Sequence, residues 1–302
     1  MSSSITCSGS IALDTTRTPF KTVENVLGGA VSYFSISASF FSKVYVTGIV
    51  GNDFPQEYWD LLAKRSDVNG IQKKEGKTFH YDCTYSFDFY HRHTNKTDLN
   101  VLADFKPEVT EEAKQSEFVY LATMPPASQR DVLKQVITKK LSFMDTIEFY
   151  IENYKSDLLE TISMVDGIVL NDAEARKLTD ETNLVKCINK IAELGPKIII
   201  LKKGEHGCLL YYEKKIYPFP AFPLENIVDP NGAGDSFAGG FIGTLSKLDA
   251  SNPTIGQLKT AIGYATVMGS LAVSDFSVEG LVNTNIQKID QQFSQYQELL
   301  RL

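Results

Sequence analysis

Short apolar runs punctuate the chain at residues 44–49, 118–121, 141–144, 167–170 and 197–201, each bounded by polar or turn-forming residues. Runs without polar alternation are the pattern of strands buried on both faces. Between them lie segments of helical periodicity at 30–41, 55–66, 128–137, 156–164, 172–178 and 183–194. The first follows a double glycine; the second carries Asp53 as a candidate cap, with proline in its first turn. This alternation predicts an α/β fold, a mainly parallel central sheet flanked by helices, with ligands at the carboxyl ends of its strands.

Two segments break the rhythm. Residues 15–26 are short, polar and β-branched. Residues 78–89 alternate with period two, placing Phe79, Tyr81, Cys83, Tyr85, Phe87 and Phe89 on one face and His80, Asp82, Thr84, Ser86 and Asp88 on the other. They predict a small antiparallel β insertion, at about 15–27 and 78–106. It is open as a lid over a pocket, a surface for a homodimer, or an edge hairpin packed on its own domain. After Pro223 the pattern turns helical, at 234–245, 254–273 and 284–299. No proline- or serine-rich linker intervenes, so residues 1–302 are expected to form a single domain with its lid.

Composition narrows the partners. Of 302 residues, 43% are hydrophobic and 22% charged, ordinary globular usage that excludes disorder. The net charge of -7 repels phosphate backbones and anionic lipid, so neither nucleic acid nor membrane is expected as a partner. A local basic pocket for one phosphorylated ligand remains compatible with it. Cys7, Cys83, Cys187 and Cys208 are scattered without metal-binding spacing and read as packed thiols. The apolar stretch 27–50 is interrupted by serines and Lys43, and no basic segment leads into an apolar one at the start. A cytoplasmic location is therefore expected.

The sharpest chemical feature is the run Asp229-Pro230-Asn231-Gly232-Ala233-Gly234-Asp235-Ser236-Phe237-Ala238-Gly239-Gly240-Phe241. Gly232 and Gly234 allow a backbone path that leaves amides open, and the following helix adds unpaired N–H groups and a positive dipole end. Together they can cradle an anion such as a phosphoryl group in transfer. Asp235 has two readings here: a helix N-cap, or a base that takes a proton from an attacking hydroxyl.

Residues 229–241 resemble the second signature of the ribokinase-like (PfkB) carbohydrate kinase family. Other motifs agree in order. Gly9-Ser10-Ile11-Ala12-Leu13-Asp14 resembles the family's first strand with its substrate-binding aspartate, and Gly28-Gly29 its double-glycine hinge. Residues 48–53 resemble the next strand and turn, Asn171-Asp172-Ala173-Glu174 the N-x-x-E motif, and Lys202-Lys203-Gly204-Glu205-His206-Gly207 the glycine turn near the nucleotide. The resemblance spans roughly residues 5 to 275 and implies an ATP-dependent phosphotransferase acting on a hydroxyl of a sugar, polyol or nucleoside. Asp235 would be the catalytic base, and the amides of Gly232, Ala233 and Gly234 the anion hole. Asp14, Gly28, Gly29 and Tyr33 would line the acceptor. Asn171, Glu174, Lys202, Gly204 and Asn231 would serve the nucleotide, with Glu174 holding Mg²⁺ through water. The family also leaves a monovalent cation open.

The sequence departs from the family pattern at three places, one of them the two lysines of Leu201-Lys202-Lys203-Gly204 near the expected nucleotide, open as a phosphate contact or as a solvated surface pair. Asn231 stands where threonine is usual, and Tyr33 where an asparagine contacts the sugar; a phenol there is larger and can stack, which shifts the expected acceptor toward a nucleoside, an inositol or an unusual sugar acid. Thr16, Arg17, His80, Asp82, Tyr85, His91 and Arg92 are lid candidates for substrate contact, and Asp104 and residues 145–148 for the pocket wall. Two other readings stand beside the kinase: a catalytically silent nucleotide-binding scaffold, and a dehydrogenase. The latter lacks a G-x-G-x-x-G turn after the first strand.

Overall fold

The apolar runs become strands whose successive side chains feed two separate cores. In the computed structural model, which describes residues 3–89 and 91–301, the chain opens with β1 (Ser4–Ser8). It then forms β2 (Ala12–Arg17) and β3 (Thr22–Gly28) before α1 (Ala30–Ala38). β4 (Lys43–Val50), α2 (Gln56–Arg65) and β5 (Asp67–Lys73) follow, then β6 (Phe79–Tyr85) and β7 (Arg92–Asp98). The alternation resumes with β8 (Phe118–Leu121), α3 (Pro126–Gln135), β9 (Leu141–Met144), α4 (Glu148–Asn153), α5 (Lys155–Ile162) and β10 (Gly167–Asn171). After α6 (Asp172–Thr179), α7 (Leu184–Glu193) and β11 (Ile198–Lys202) comes a hairpin of β12 (Cys208–Tyr212) and β13 (Lys215–Phe219). The chain ends in α8 (Ala233–Lys247), α9 (Ile255–Ala272), α10 (Glu279–Val282) and α11 (Ile286–Leu299).

The main sheet runs β13-β12-β11-β10-β9-β8-β1-β4-β5, parallel from β11 to β5 and antiparallel only at the β12–β13 edge. Phe118, Tyr120, Ile198 and Ile200 pack into one core, while Val119, Leu121, Ile199 and Leu201 pack into the other. A sheet covered on both faces has no polar side to alternate with, which is why these strands read as continuous apolar runs. α8 is held close between α1 and α9. A Cβ on Gly239 would meet Phe34 O at 2.5 Å, and one on Gly240 would meet Ala265 Cα at 2.9 Å. Among the described residues no helix is long and apolar enough to cross a membrane.

The second sheet, β3-β2-β6-β7, contains the two segments that broke the rhythm. Its outer pairs are antiparallel, and a parallel β2–β6 pair joins them. Three sequence-based expectations change here. β6 ends at Tyr85 because the chain turns, with Phe89 at φ 57°; Phe87 is 81% exposed instead of facing the core, and clusters with Phe20 and Phe89 at the sheet's tip. Asp14 belongs to β2 in this small sheet, not to the first strand of the main one. Asp53 does not cap α2, whose N-cap is Pro55; its Oδ1 accepts from the Thr78 amide and hydroxyl, both at 2.7 Å, and so ties the start of β6 to the body.

Candidate active site

The carboxyl ends of β9, β10 and β11, the start of α8 and the inner face of the small sheet meet at one cleft. The glycine loop is anchored from below by Asp229, which is almost fully buried. Its Oδ1 accepts from the Asn231 amide at 2.9 Å and its Oδ2 from the Ser277 amide at 3.3 Å, while Ser277 Oγ donates to Leu27 O at 2.5 Å. Burial pushes the Asp229 carboxyl up to about 6.

Gly232 is the N-cap of α8 at φ 72°, and no side chain caps the helix. That removes the capping reading of Asp235. The amides of Gly232 and Gly234 sit where a helix start supplies no i−4 carbonyl. The amide of Ala233, predicted to join them, instead closes the turn by donating to Pro230 O at 3.3 Å. Tyr33 packs behind this loop, only 2% exposed, and a Cβ on Gly232 would overlap its ring. Tyr33 thus shapes the loop instead of offering a face for stacking, which corrects the sequence-based expectation. Gly232→Ala combines this overlap with a left-handed φ, so it is expected to lower thermal stability by about 2–3 kcal/mol and kcat by about 10²-fold. Melting curves and steady-state rates check both.

Asp14 is 3% exposed, beside Gly28, whose missing side chain makes room for the carboxylate. Asp14 Oδ2 accepts from Asn231 Nδ2 at 3.0 Å; Oδ1 is buried without a protein partner. A buried acceptor left unpaired is costly unless a ligand donates to it. Burial raises the Asp14 carboxyl to about 7, the Asn231 amide pulls it back, and Asp229 and Asp235 push it up again. Asn231, the departure from threonine, thus ties the loop to the small sheet. Gly29, at φ 86°, is the N-cap of α1 and turns the chain from that sheet into the body.

Asp235 lies in the first turn of α8, its carboxyl raised chiefly by burial and then by Asp145, with Lys202 and Arg92 drawing it down. Such a carboxylate is basic enough to accept a proton near neutral pH. Lys202 Nζ stands 3.5 Å from Asp145 Oδ2 and over the loop, 2.6 Å from where a Gly234 Cβ would be. Asp145 also accepts from Tyr120 Oη at 3.3 Å and the Thr146 amide at 2.6 Å. Asn171 and Glu174 form a reciprocal capping box: Asn171 Oδ1 accepts from the Glu174 amide and Glu174 Oε2 from the Asn171 amide, each at 2.8 Å. Glu174 is buried; that burial, then Asp145, raises its carboxyl, and Lys202 opposes them.

Asp14, Asn231, the loop, Asp235, Lys202 and Glu174 therefore converge. Gly204 does not; it is an exposed turn residue at φ 54° with open space around its Cα. Asp229 and Asp145 enter with more structural weight than their sequence positions suggested. The first opens the glycine motif and the second ends an apolar run. Among the described residues no three ligating side chains form a ready-made metal site. Register also orders the lid candidates. Asp14 pairs with Tyr81, Thr16 with Cys83 and Tyr85 with Arg92, which puts them on one face. Arg17 and Asp82 form an ion pair on the other face, where Asn95 Nδ2 also donates to Asp82 at 2.7 Å.

A family model described as pfkB family carbohydrate kinase matches residues 5–284. A cytidine kinase of Thermococcus kodakarensis is 30% identical over 250 residues, which cover 79% of this chain and 87% of that relative. A nucleoside kinase of Methanothermobacter thermautotrophicus is 24% identical over 269 residues, 86% of this chain and 82% of the relative. The solved nucleoside kinase of Burkholderia thailandensis in complex with inosine shares the fold with a TM-score of 0.81 at 19% identity, over 96% of this chain and 97% of that one. A putative ribokinase II from E. coli in complex with ATP and Mg²⁺ gives 0.78 at 19% identity, over 97% and 99%. The match runs through both sheets and the glycine loop: this chain belongs to the pfkB family of carbohydrate kinases.

Proposed function

We propose that this kinase transfers the γ-phosphoryl group of ATP to a hydroxyl of a nucleoside, with Asp235 as the base and the Gly232–Gly234 turn as the anion hole. The observation that carries the reading is the convergence of Asp14, Asn231 and Asp235 around the open start of α8. Asp14 Oδ1 accepts from a sugar hydroxyl and fixes the ring. Asp235 takes the proton of the attacking hydroxyl as its oxygen meets the phosphorus in line with the departing ADP. The loop amides and Lys202 face the oxygens on which negative charge gathers. The small sheet closes over the acceptor as a lid, with Gly29 turning at its base, and excludes water that would otherwise hydrolyse ATP.

Mg²⁺ fits this cleft as an ion carried in by the nucleotide. Mg²⁺ keeps much of its water, and Glu174 commits Oε2 to the capping box while its carboxylate borders Asp145 and Lys202. Glu174 and Asp145 would hold its waters, and the ion would neutralise phosphate charge.

The nucleoside assignment is supported by the relatives named cytidine and nucleoside kinase and by Tyr81 and Tyr85 on the same face as Asp14. Aromatic rings beside a sugar-binding carboxylate suit a flat base. In a coupled ADP-release assay, a nucleoside is expected to exceed free ribose, fructose and inositol in kcat/KM by about tenfold, the worth of one well-stacked ring. Equal or better turnover of a free sugar would overturn the nucleoside assignment.

A further inference from the structure

We propose that Asn231 is a positioning residue for the acceptor: its side-chain amide holds the Asp14 carboxylate in one orientation and fixes its distance from the glycine loop. The inference rests on the kinase reading above and moves Asn231 from the nucleotide, where the sequence pattern put it, to the other substrate. Asn231 Nδ2 donates to Asp14 Oδ2 at 3.0 Å, and among the described residues no other side chain is hydrogen-bonded to that carboxylate. The bond joins the body to β2 of the small sheet, between residues 217 positions apart. A threonine hydroxyl ends one bond nearer the backbone than an asparagine Nδ2, so on this backbone the family's usual threonine stops short of Asp14.

Both ends of the bond are fixed. The Asn231 main-chain amide donates to Asp229 Oδ1 at 2.9 Å, which pins the residue to a buried carboxylate beneath the loop. At the other end Asp14 Oδ2 fills the space that a Cβ on Gly28 would take. With Oδ2 wedged between Gly28 and the Asn231 amide, Oδ1 is the oxygen left buried without a partner. Asn231 directly precedes Gly232, the N-cap of α8 that opens the anion-binding turn. One side chain therefore spans from the acceptor's carboxylate to the place where the phosphoryl group arrives.

The groups around Asp14 give that amide a task. Burial opposes the carboxylate's charge, and so do Asp229 below the loop and Asp235 on α8. Tyr33 on α1 and Tyr81 and Cys83 on β6 face it as well, each pushed above its ordinary range by burial and therefore neutral near pH 7. β3 places Val26 across from it, and Arg92 of β7 lies beyond the Tyr81 ring. His80 and the Arg17–Asp82 pair occupy the opposite face. What favours the ionised form is two N–H donors, the Asn231 side chain and the Gly29 main-chain amide. A donor binds a carboxylate more strongly than a neutral carboxyl, so Asn231 keeps the proton off the group that must accept from the acceptor's hydroxyl.

Asn231→Ala in the full chain is expected to lose about tenfold in kcat/KM for the best acceptor at about pH 7, with the KM for ATP within about twofold. The acid limb of that kcat/KM is expected to move up by about one pH unit, so the deficit narrows above about pH 8. Asn231→Thr keeps a small polar residue in the loop. It is expected to follow the alanine protein in both respects, and it serves as the second variant if alanine disturbs the loop. The same change is then made in the Asp14→Asn protein. There the loss of Asn231 is expected to cost less than about threefold, because the amide at position 14 has no ionisation to protect. An acid limb that stays in place, or the full loss in the Asp14→Asn background, overturns the inference. So does a raised KM for ATP with the acceptor constants kept, which would return Asn231 to the nucleotide. These results leave the kinase reading intact, because wild-type turnover is measured in the same series. A wild type that phosphorylates no acceptor overturns both.

Discussion

Asp235→Asn is expected to keep the fold, bind ATP and acceptor with near wild-type affinity, and lose about 10³-fold or more in kcat. The amide has the carboxylate's shape and stays in the first turn of α8, so the helix start and loop are undisturbed. It cannot take a proton. The half-buried carboxylate, raised by desolvation and by Asp145, has a basicity matched to neutral pH and a position that borders the anion-binding turn. Removing a charge crowded by Asp14 and Asp145 also relieves repulsion, so the variant should melt no lower than wild type. Calorimetric titration with ATP and acceptor, beside single-turnover rates, separates binding from chemistry. Near wild-type single-turnover rates would remove Asp235 from the base role.

The second large effect belongs to Asp14, and it carries opposite signs for stability and activity. The folded protein raises this carboxyl from the ordinary 3.8 to about 7, so the native state binds more protons than the unfolded chain across that window. Its contribution to stability is present in full below 3.8, declines as pH rises, and is lost above about 7. The cost of ionising it in place is on the order of 4 kcal/mol. Asp14→Asn avoids that cost and keeps an oxygen to accept from Asn231 Nδ2. The variant is therefore expected to melt higher than wild type at about pH 8, and to show less difference at about pH 5.

Activity moves the other way. In the proposed role the ionised carboxylate accepts from the acceptor's hydroxyl at Oδ1, so wild-type kcat/KM should fall as pH drops through about 7. Asp235 titrates in the same cleft, and the observed midpoint belongs to the pair. Asp14→Asn is expected to lose about 10²- to 10³-fold in kcat/KM for the acceptor with the KM for ATP unchanged. Equal melting of the two proteins at about pH 8, or an unaltered acceptor kcat/KM, would contradict this role.

These effects show which parts of the site are written locally in the sequence. The glycine loop is local: Gly232, Gly234 and Asp235 are adjacent, and their backbone needs follow from residue type alone. The capping box of Asn171 and Glu174 is also local, three residues apart on one helix start. The two-faced strands are legible because a short, continuous apolar run bounded by turn residues has to be covered on both sides. The edge elements are not. β5 carries Asp67 and Asn69, and β12 and β13 carry half-exposed Tyr211, Tyr212, Ile216 and Tyr217, so neither a buried run nor a clean alternation marks them.

Convergence is the other part that local sequence does not carry. Asp145, Lys202 and Glu174 end or follow three different strands, and only the order β9-β10-β11 places them side by side. Which residues of the small sheet face the cleft depends on the β2–β6 register. A shift of one residue would exchange Arg17 and Asp82 for Thr16 and Tyr81. Tyr33 stands out in the sequence for its chemistry, yet a helix packed against the loop buries it behind Gly232.

The most direct test follows the phosphorus. ATP labelled at the γ-phosphate, Mg²⁺ and a set of nucleosides and free sugars are incubated with the protein, and ADP and phosphorylated acceptor are quantified together. One labelled nucleoside monophosphate is expected for each ADP, with little label released as inorganic phosphate. Label passing only to water, or ATP bound with none transferred to any acceptor, would contradict it.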